Sequence, residues 1–181
     1  MAADGTRPTI AWLDVARAAQ QGDRDARDRL LRYLYGGVRK HVYFTIGGGP
    51  LADDVVQETM IAIHRGLASF HGDAHPRTWA LTIATRYARR MRAKDARHVP
   101  TDELDVMTFD VDEAAAVEMI LLRRALARLS PKKRDAFILM SLLDLTAQEA
   151  GEILSTFANT VASRDRHARE ELAKYLEEPG T

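Results

Sequence analysis

Hydrophobic residues recur along this chain at helical spacing and nowhere alternate over the length of a strand. The clearest stripe lies between Leu51 and Leu67. There Val56, Met60, Ile63 and Leu67 fall at i, i+4, i+7 and i+11, which places all four on one helix face. Asp53 and Asp54 stand in its first turn, where the helix dipole favours negative charge. Trp79, Ile83, Tyr87 and Met91 mark a second stripe within Arg77–Ala96. Between Trp12 and Leu34 the apolar positions form two groups separated by Gln20–Asp25. This predicts two helices meeting near Gly22, the second starting at Asp23 or Asp25. Val38–Ile46 alone fits a helix or a short strand and is read as helix from its neighbours. Gly47-Gly48-Gly49-Pro50 and Ser69–Pro76 read as breaks.

After His98 the periodicity stops. Residues 99–113 carry Pro100 and a run of acids and read as a linker, because such sequence cannot bury enough apolar surface to order itself. Helical pattern resumes at Ala114–Leu129. Ser130-Pro131 restarts a helix, with Ser130 placed to cap it and Pro131 at the tolerated first position. Thr146-Ala147-Gln148-Glu149 is a capping-box sequence opening a short helix to about Leu154. Ser155–Ala158 reads as a turn, and Asn159 as the cap of a last helix ending near Leu176. The predicted fold is therefore all-α with two small domains, a helical bundle over 8–98 and a helix-turn-helix domain over 114–176, joined by a flexible acidic linker over 99–113.

Composition narrows the function classes. Hydrophobic residues make up 46 %, enough for a packed core. The absence of cysteine excludes disulfides and thiolate metal sites and suits a reducing cytoplasm. The longest apolar run, Ala136–Met140, is far short of the roughly 20 residues that span a bilayer. The N-terminus has no basic start followed by an apolar block, so a cytoplasmic protein without membrane insertion is expected. No nucleophile–base pair, glycine-rich phosphate loop or carboxylate cluster is visible, so no enzyme and no cofactor are expected. His71 and His75 sit in a Gly/Pro-containing loop with only Asp73 between them and read as loop polar residues, not metal ligands.

The 26 Lys and Arg balance the 26 Asp and Glu, which argues against a protein that coats nucleic acid. The charges are nevertheless segregated. Arg77–Arg97 is basic but for Asp95, Pro100–Glu118 holds acids and no base, and Arg123–Arg134 is basic with no acid. A short helix, a turn and a longer basic helix is the layout of a helix-turn-helix. Arg164, Arg166, His167 and Arg169 lie on the second of these helices, with reach for phosphates or base edges.

The stretch LARLSPKKRDAFILMSLLDLTAQEAGEILSTFANTVASRDRHAREEL resembles the C-terminal promoter-reading domain of bacterial sigma factors of the extracytoplasmic-function group. Leu145, Thr146, Glu149, Ile153, Leu154, Thr160, Val161, Ser163, Arg164, Ala168 and Arg169 carry the likeness. The N-terminal half is similar to the same family. Asp54 through Thr59 resemble its Asp-Leu-Val-Gln-Glu-Thr helix. Arg77, Thr78, Trp79, Ile83 and Ala84 resemble its Arg-Thr-Trp-x-x-x-Ile-Ala helix. The resemblance covers roughly residues 10 to 176.

The resemblance implies partners and roles. Asp53, Asp54, Gln57, Glu58 and Ile61 would face the clamp helices of the RNA polymerase beta-prime subunit. Trp79, Arg86, Arg89 and Arg90, with the loop His71–Pro76, would sit at the upstream edge of melted promoter DNA, where an opened base is held by stacking and polar groups. Trp79, at period with Ile83 and Tyr87, also fits a core position. Asn159, Thr160, Ser163, Arg164, Arg166 and His167 would meet the upstream promoter element, and an anti-sigma factor would be a further partner.

Several positions depart from the family. Arg86 stands where Asn is usual, and Pro76 replaces an aromatic. Ser155 replaces the usual turn glycine, and Gly151 lies inside a helix at an expected cost of about 1 kcal/mol against Ala. Asp165 falls on the stripe of Val161, Ala168 and Leu172, where leucine is usual. A buried carboxylate is expensive unless paired, so Asp165 must be paired or exposed. Two functions of different class follow. One is a promoter-specificity subunit of RNA polymerase. The alternative, favoured by zero net charge and Asp165, is a sigma-like module that binds an anti-sigma factor or polymerase without reading promoters.

Overall fold

The computed structural model describes residues 9–94 and 113–177. The expected acidic linker lies outside the described residues apart from Glu113, which opens a helix. Every element among the described residues is helical. The first module comprises α1 (Thr9–Gln20), α2 (Arg24–Ile46), α3 (Pro50–Gly66), a 3₁₀ turn (Leu67–Ser69) and α4 (Pro76–Lys94). The second comprises α5 (Glu113–Arg128), α6 (Pro131–Phe137), a π turn (Ile138–Leu142), α7 (Ala147–Leu154) and α8 (Ala158–Glu177).

Asp23 caps α2, its carboxylate accepting the Ala26 N–H at 3.0 Å. The helix then runs for 23 residues without a break through Gly36-Gly37. Each glycine costs up to about 1 kcal/mol inside a helix, but Leu30, Leu34, Val38 and Val42 form one buried row across the pair. Burial of that row holds the helix together where local preference alone would loosen it. On α3, Val56 and Ile63 are buried and Met60 is half-buried, and Leu67 in the following turn is buried, as the stripe predicts. The Gln20 amide donates to the carbonyls of Leu67 and Phe70 at 2.9 and 2.6 Å, closing the exposed end of this helix.

The buried face of α4 differs from the expected one. Its deepest residues are Ala80, Leu81, Ala84 and Ala88, while Trp79, Ile83, Tyr87 and Met91 are half-buried at its margin. Small side chains let α4 approach α2 and α3 closely, and the large ones pack around the seam. Trp79 rests on Phe70, ring centroids 4.9 Å apart, and over Gly66, where an added Cβ would lie 3.3 Å from the indole.

Two capping expectations in the second module change. Ser130 stands before α6, but its side chain makes no capping hydrogen bond. Instead Arg134 donates to the carbonyls of Leu126, Ala127 and Leu129 and closes the end of α5. Helix α8 starts two residues earlier than expected. The Phe157 carbonyl accepts from Thr160 and Val161 at 3.0 and 3.2 Å, so Phe157 holds the capping position and Asn159 lies inside the first turn. The Thr146–Glu149 capping box is present as expected, the hydroxyl accepting from the Glu149 N–H and the carboxylate from the Thr146 N–H.

The modules share a core. Tyr43, Phe44 and Leu81 of the first are buried together with Leu126, Ile138, Leu139, Leu145 and Leu154 of the second. Polar contacts reinforce this seam. Arg89 Nε and one terminal nitrogen donate to Asp135 Oδ2 at 3.0 and 2.8 Å, and Arg92 lies 3.6 Å from the other carboxylate oxygen. Arg77 donates to the Leu143 carbonyl, and the Arg123 guanidinium lies 5.7 Å from the Tyr43 ring centre. Asp135 is almost fully buried.

His41 lies in the same seam, fully buried, its Nε2 3.0 Å from the Thr85 hydroxyl. Burial, which Asp135 opposes and Arg89 and Arg92 assist, lowers its pKa to about 4. The folded chain thus keeps His41 neutral at pH values where the unfolded chain protonates it. The stability this group contributes is present above pH 6.5 and is lost as pH falls from there towards 4, by about 3 kcal/mol in all. Denaturant unfolding across that range should show this loss in the wild type and a flatter profile in His41→Gln. Equal slopes would remove His41 from the acid response.

Candidate polymerase and nucleic-acid interfaces

Helix α3 buries Ala52, Val55, Thr59 and Ile63, so the opposite side faces outward. Asp53, Asp54, Gln57, Glu58 and Ile61 are all exposed on that side. Ile61 is 43 % exposed at the C-terminal end of this otherwise polar set. An open groove beside it is lined by Val56, Met60 and Ile61 of α3 and by Tyr35 of α2, with Asp53, Gln57, His64 and Arg65 on its rim. Tyr35, Met60 and His64 were missed in the sequence. Tyr35 falls between the segment ending at Leu34 and the one starting at Val38, and only the unbroken α2 brings it alongside α3.

On α4 the structure separates the four residues read as one DNA-facing set. Trp79, Arg86 and Arg90 share one stripe at i, i+7 and i+11, but only the two arginines are exposed, Arg86 over the Tyr87 ring at 5.8 Å, while Trp79 is half-buried against Phe70. Arg89 turns aside, on the stripe Leu81–Thr85–Arg89–Arg92 that meets the second module, and is held by Asp135. No sequence signal marks that pair, because its members are 46 positions apart. In the neighbouring loop His75 accepts the Arg77 N–H on its Nδ1 at 3.1 Å and so caps α4.

The short and long helices α7 and α8 form the expected helix-turn-helix. Ala150, Gly151, Ile153 and Leu154 of α7 and Val161, Ala168 and Leu172 of α8 are buried. Asn159, Ser163, Arg166 and Glu170 fall on the opposite side of α8, with Thr160, Arg164 and His167 flanking them. Asn159, Arg166 and His167 are exposed, and Thr160, Ser163 and Arg164 are half-buried. Glu170 places a negative charge one turn beyond Arg166, which confines the cationic face to the first half of the helix.

Asp165 is 1 % exposed, on the buried stripe as expected. It is paired twice, accepting from the Ser141 hydroxyl at 2.8 Å and forming an ion pair with Arg169. Ser141 belongs to the π turn, whose wider coil is a local departure from α geometry at this contact. The carboxylate is therefore a tie between α8 and the π turn, and its departure from leucine no longer speaks against a DNA-reading helix.

Two profiles of known families match the chain, Sigma-70 region 2 over residues 26–98 and Sigma-70, region 4 over 119–172. The ECF RNA polymerase sigma factor SigM of Mycobacterium tuberculosis is 32 % identical over 173 residues, covering 95 % of this chain and 88 % of that protein. The chain belongs to the ECF group of the sigma-70 family. The RNA polymerase sigma factor NccH of Alcaligenes xylosoxydans xylosoxydans is 30 % identical over 174 residues, 90 % of this chain and 93 % of that one. The fold is also that of CnrH, solved in complex with the cytosolic domain of CnrY. Their TM-score is 0.75 at 21 % identity, covering 94 % of this chain and 99 % of that one. As a sigma factor the chain is a non-enzymatic subunit that binds RNA polymerase core and promoter DNA and directs transcription initiation. No helix among the described residues is long and apolar enough to cross a membrane.

The turn that sets the angle of the sigma factor's helix-turn-helix reverses one expectation. A Cβ on Gly151 would lie 2.8 Å from the Thr156 carbonyl oxygen, so alanine there clashes with backbone. Ser155 adopts the left-handed conformation at φ 53°, where glycine is less strained. Gly151→Ala is expected to destabilise by about 1–3 kcal/mol. Ser155→Gly is expected to stabilise by about 1 kcal/mol. Thermal unfolding of the two variants should therefore move in opposite directions.

Proposed function

We propose that the outward face of α3 is the surface through which this sigma factor docks on the beta-prime clamp helices of RNA polymerase. The supporting observation is one exposed apolar residue, Ile61, which lies one turn beyond Glu58 on the face that carries Asp53, Asp54 and Gln57 and borders a groove lined by Val56, Met60 and Tyr35. Acids at the start of the face give specificity and orientation, and the apolar patch beside them gives burial. A protein inhibitor that competes with polymerase for this face is the further partner in this reading. In support, the sigma factor RpoE of Bartonella quintana, of like fold at TM-score 0.69 and 21 % identity, was solved with the anti-sigma factor NepR. Charge reversal at both Asp54 and Glu58 should abolish co-purification with polymerase core while leaving helical circular dichroism unchanged. Wild-type retention would assign the face to solvent.

On the DNA side, α8 is proposed to enter the major groove of the upstream promoter element with Asn159, Thr160, Ser163, Arg164, Arg166 and His167. Trp79, Arg86 and Arg90 of α4 are proposed to meet the melted strand. Arg89 would join them only when released from Asp135. The exposure of Asn159, Arg166 and His167 with both modules packed supports the first part. Purified chain added to polymerase core should start transcription at a defined site. Arg166→Ala should weaken binding of that promoter. If Arg166 reads a base edge, the change costs about 1–3 kcal/mol and relaxes one position. If it holds a phosphate, the salt slope falls by roughly one unit for all sequences alike. Unchanged affinity would leave Arg166 without a DNA role.

A further inference from the structure

Phe157 is 84 % exposed, the most exposed of the large hydrophobic side chains among the described residues. It also occupies the capping position of α8, where its carbonyl takes the first hydrogen bonds of the helix. Ser, Thr, Asp or Asn at such a position accepts a backbone N–H, whereas phenylalanine has no acceptor to offer. Two unfavourable choices thus coincide at one residue, an apolar ring in water and a helix start without a side-chain cap. Nothing among the described residues offsets either of them.

The surroundings say what the ring is aimed at. Phe157 borders a shallow open concavity between the start of α8 and the outer side of α7, shared with Gln148, Glu152 and Asn159. It is continuous with the proposed reading face, since Asn159, Ser163 and Arg166 follow it along α8. The N-terminal end of the second helix of a helix-turn-helix is the end that meets base edges. Glu152 at the same concavity disfavours a phosphate and leaves the bases as the favoured contact. The two amides match the donor–acceptor edge of adenine, and thymine is the base that presents an apolar group, its 5-methyl, in the major groove. The close approach of Thr156 to Gly151 fixes the segment carrying the ring.

We propose that Phe157 is a specificity-determining residue of this sigma factor, packing on the 5-methyl group of a thymine in an A·T pair of the upstream promoter element. The inference rests on the reading that α8 binds that element. The concavity beside the ring is the space the methyl group enters, and Gln148 or Asn159 engages the partnered or adjacent adenine.

Replacing thymine by deoxyuridine removes that methyl and nothing else. The probe is a promoter duplex recovered by selection from a randomised library with holoenzyme formed from the full chain and polymerase core. Each thymine of its upstream element is then replaced in turn by deoxyuridine, and binding is measured by competition for wild type and Phe157→Ala. Wild type should lose about fourfold in affinity at one position, the worth of one buried methyl group. Phe157→Ala should show a similar loss on the thymine duplex and no further loss on the deoxyuridine one. Phe157→Leu, which keeps an apolar side chain, should retain part of the discrimination. A flat deoxyuridine scan with wild type, or an unchanged penalty in Phe157→Ala, overturns the proposal while α8 remains a DNA reader. Failure of the selection to yield any preferred upstream element overturns the reading of α8 and this proposal with it. Loss of polymerase capture by Phe157→Ala with unchanged DNA discrimination assigns the ring to a protein contact instead.

Discussion

A carboxylate with almost no access to water, Asp135, sits where the two modules meet, and its ionic partners are Arg89 and Arg92 on the other module. A charge buried without a partner costs several kcal/mol, whereas a paired one roughly breaks even. The pair therefore contributes little net stability but penalises any arrangement in which α6 and α4 are mispaired while still buried. Once α7 is packed on α4 and the π turn on α2, Leu81, Tyr43 and Phe44 are covered by the second module, and its core becomes continuous with residues of the first. His41 is sealed beneath the same seam and stays neutral there.

This arrangement divides α4 into two working sides. The stripe Leu81–Thr85–Arg89–Arg92 is committed to the neighbouring module, and Trp79, Arg86 and Arg90 remain on the open side. Of the residues proposed to meet DNA, Arg89 is thus held by the other module in this conformation and Trp79 is packed against Phe70. The outward faces of α3 and of the first half of α8 are open at the same time. Docking on polymerase and reading of the upstream element therefore make no competing demand on the packed form, whereas use of Arg89 does.

Within the second module a second buried carboxylate repeats the principle on a smaller scale. Asp165 occupies a position where an apolar residue would simply fill space, and it ties α8 to the π turn through Ser141 and to its own next turn through Arg169. A hydrogen bond between specified atoms fixes rotation and register more tightly than apolar contact does. Together with the close approach at Gly151 this sets the angle at which the exposed side of α8 is presented. The uncapped start of that helix and the bare ring of Phe157 stand at the end presented first.

The sequence by itself determined the helical class, the α3 stripe, the capping box of α7 and the outward placement of Asp53, Asp54, Gln57, Glu58 and Ile61. These depend on short-range periodicity and on hydrogen bonds between residues three or four apart, which are written locally. The two stretches that resemble known sigma helices likewise carry their pattern over short spans. Tertiary structure decided the rest. It carried α2 through two glycines because burial of Leu30, Leu34, Val38 and Val42 outweighs local preference. It chose alanines over the large residues of α4 as the deepest face, because helix approach distance is set by both partners. It turned Gly151 from an apparent cost into a requirement, since the atom it avoids belongs to the next turn of chain. It also set Arg89 apart from Arg86 and Arg90 by supplying a carboxylate from 46 residues away. Such pairings have no periodicity, so they exist only once the helices have packed.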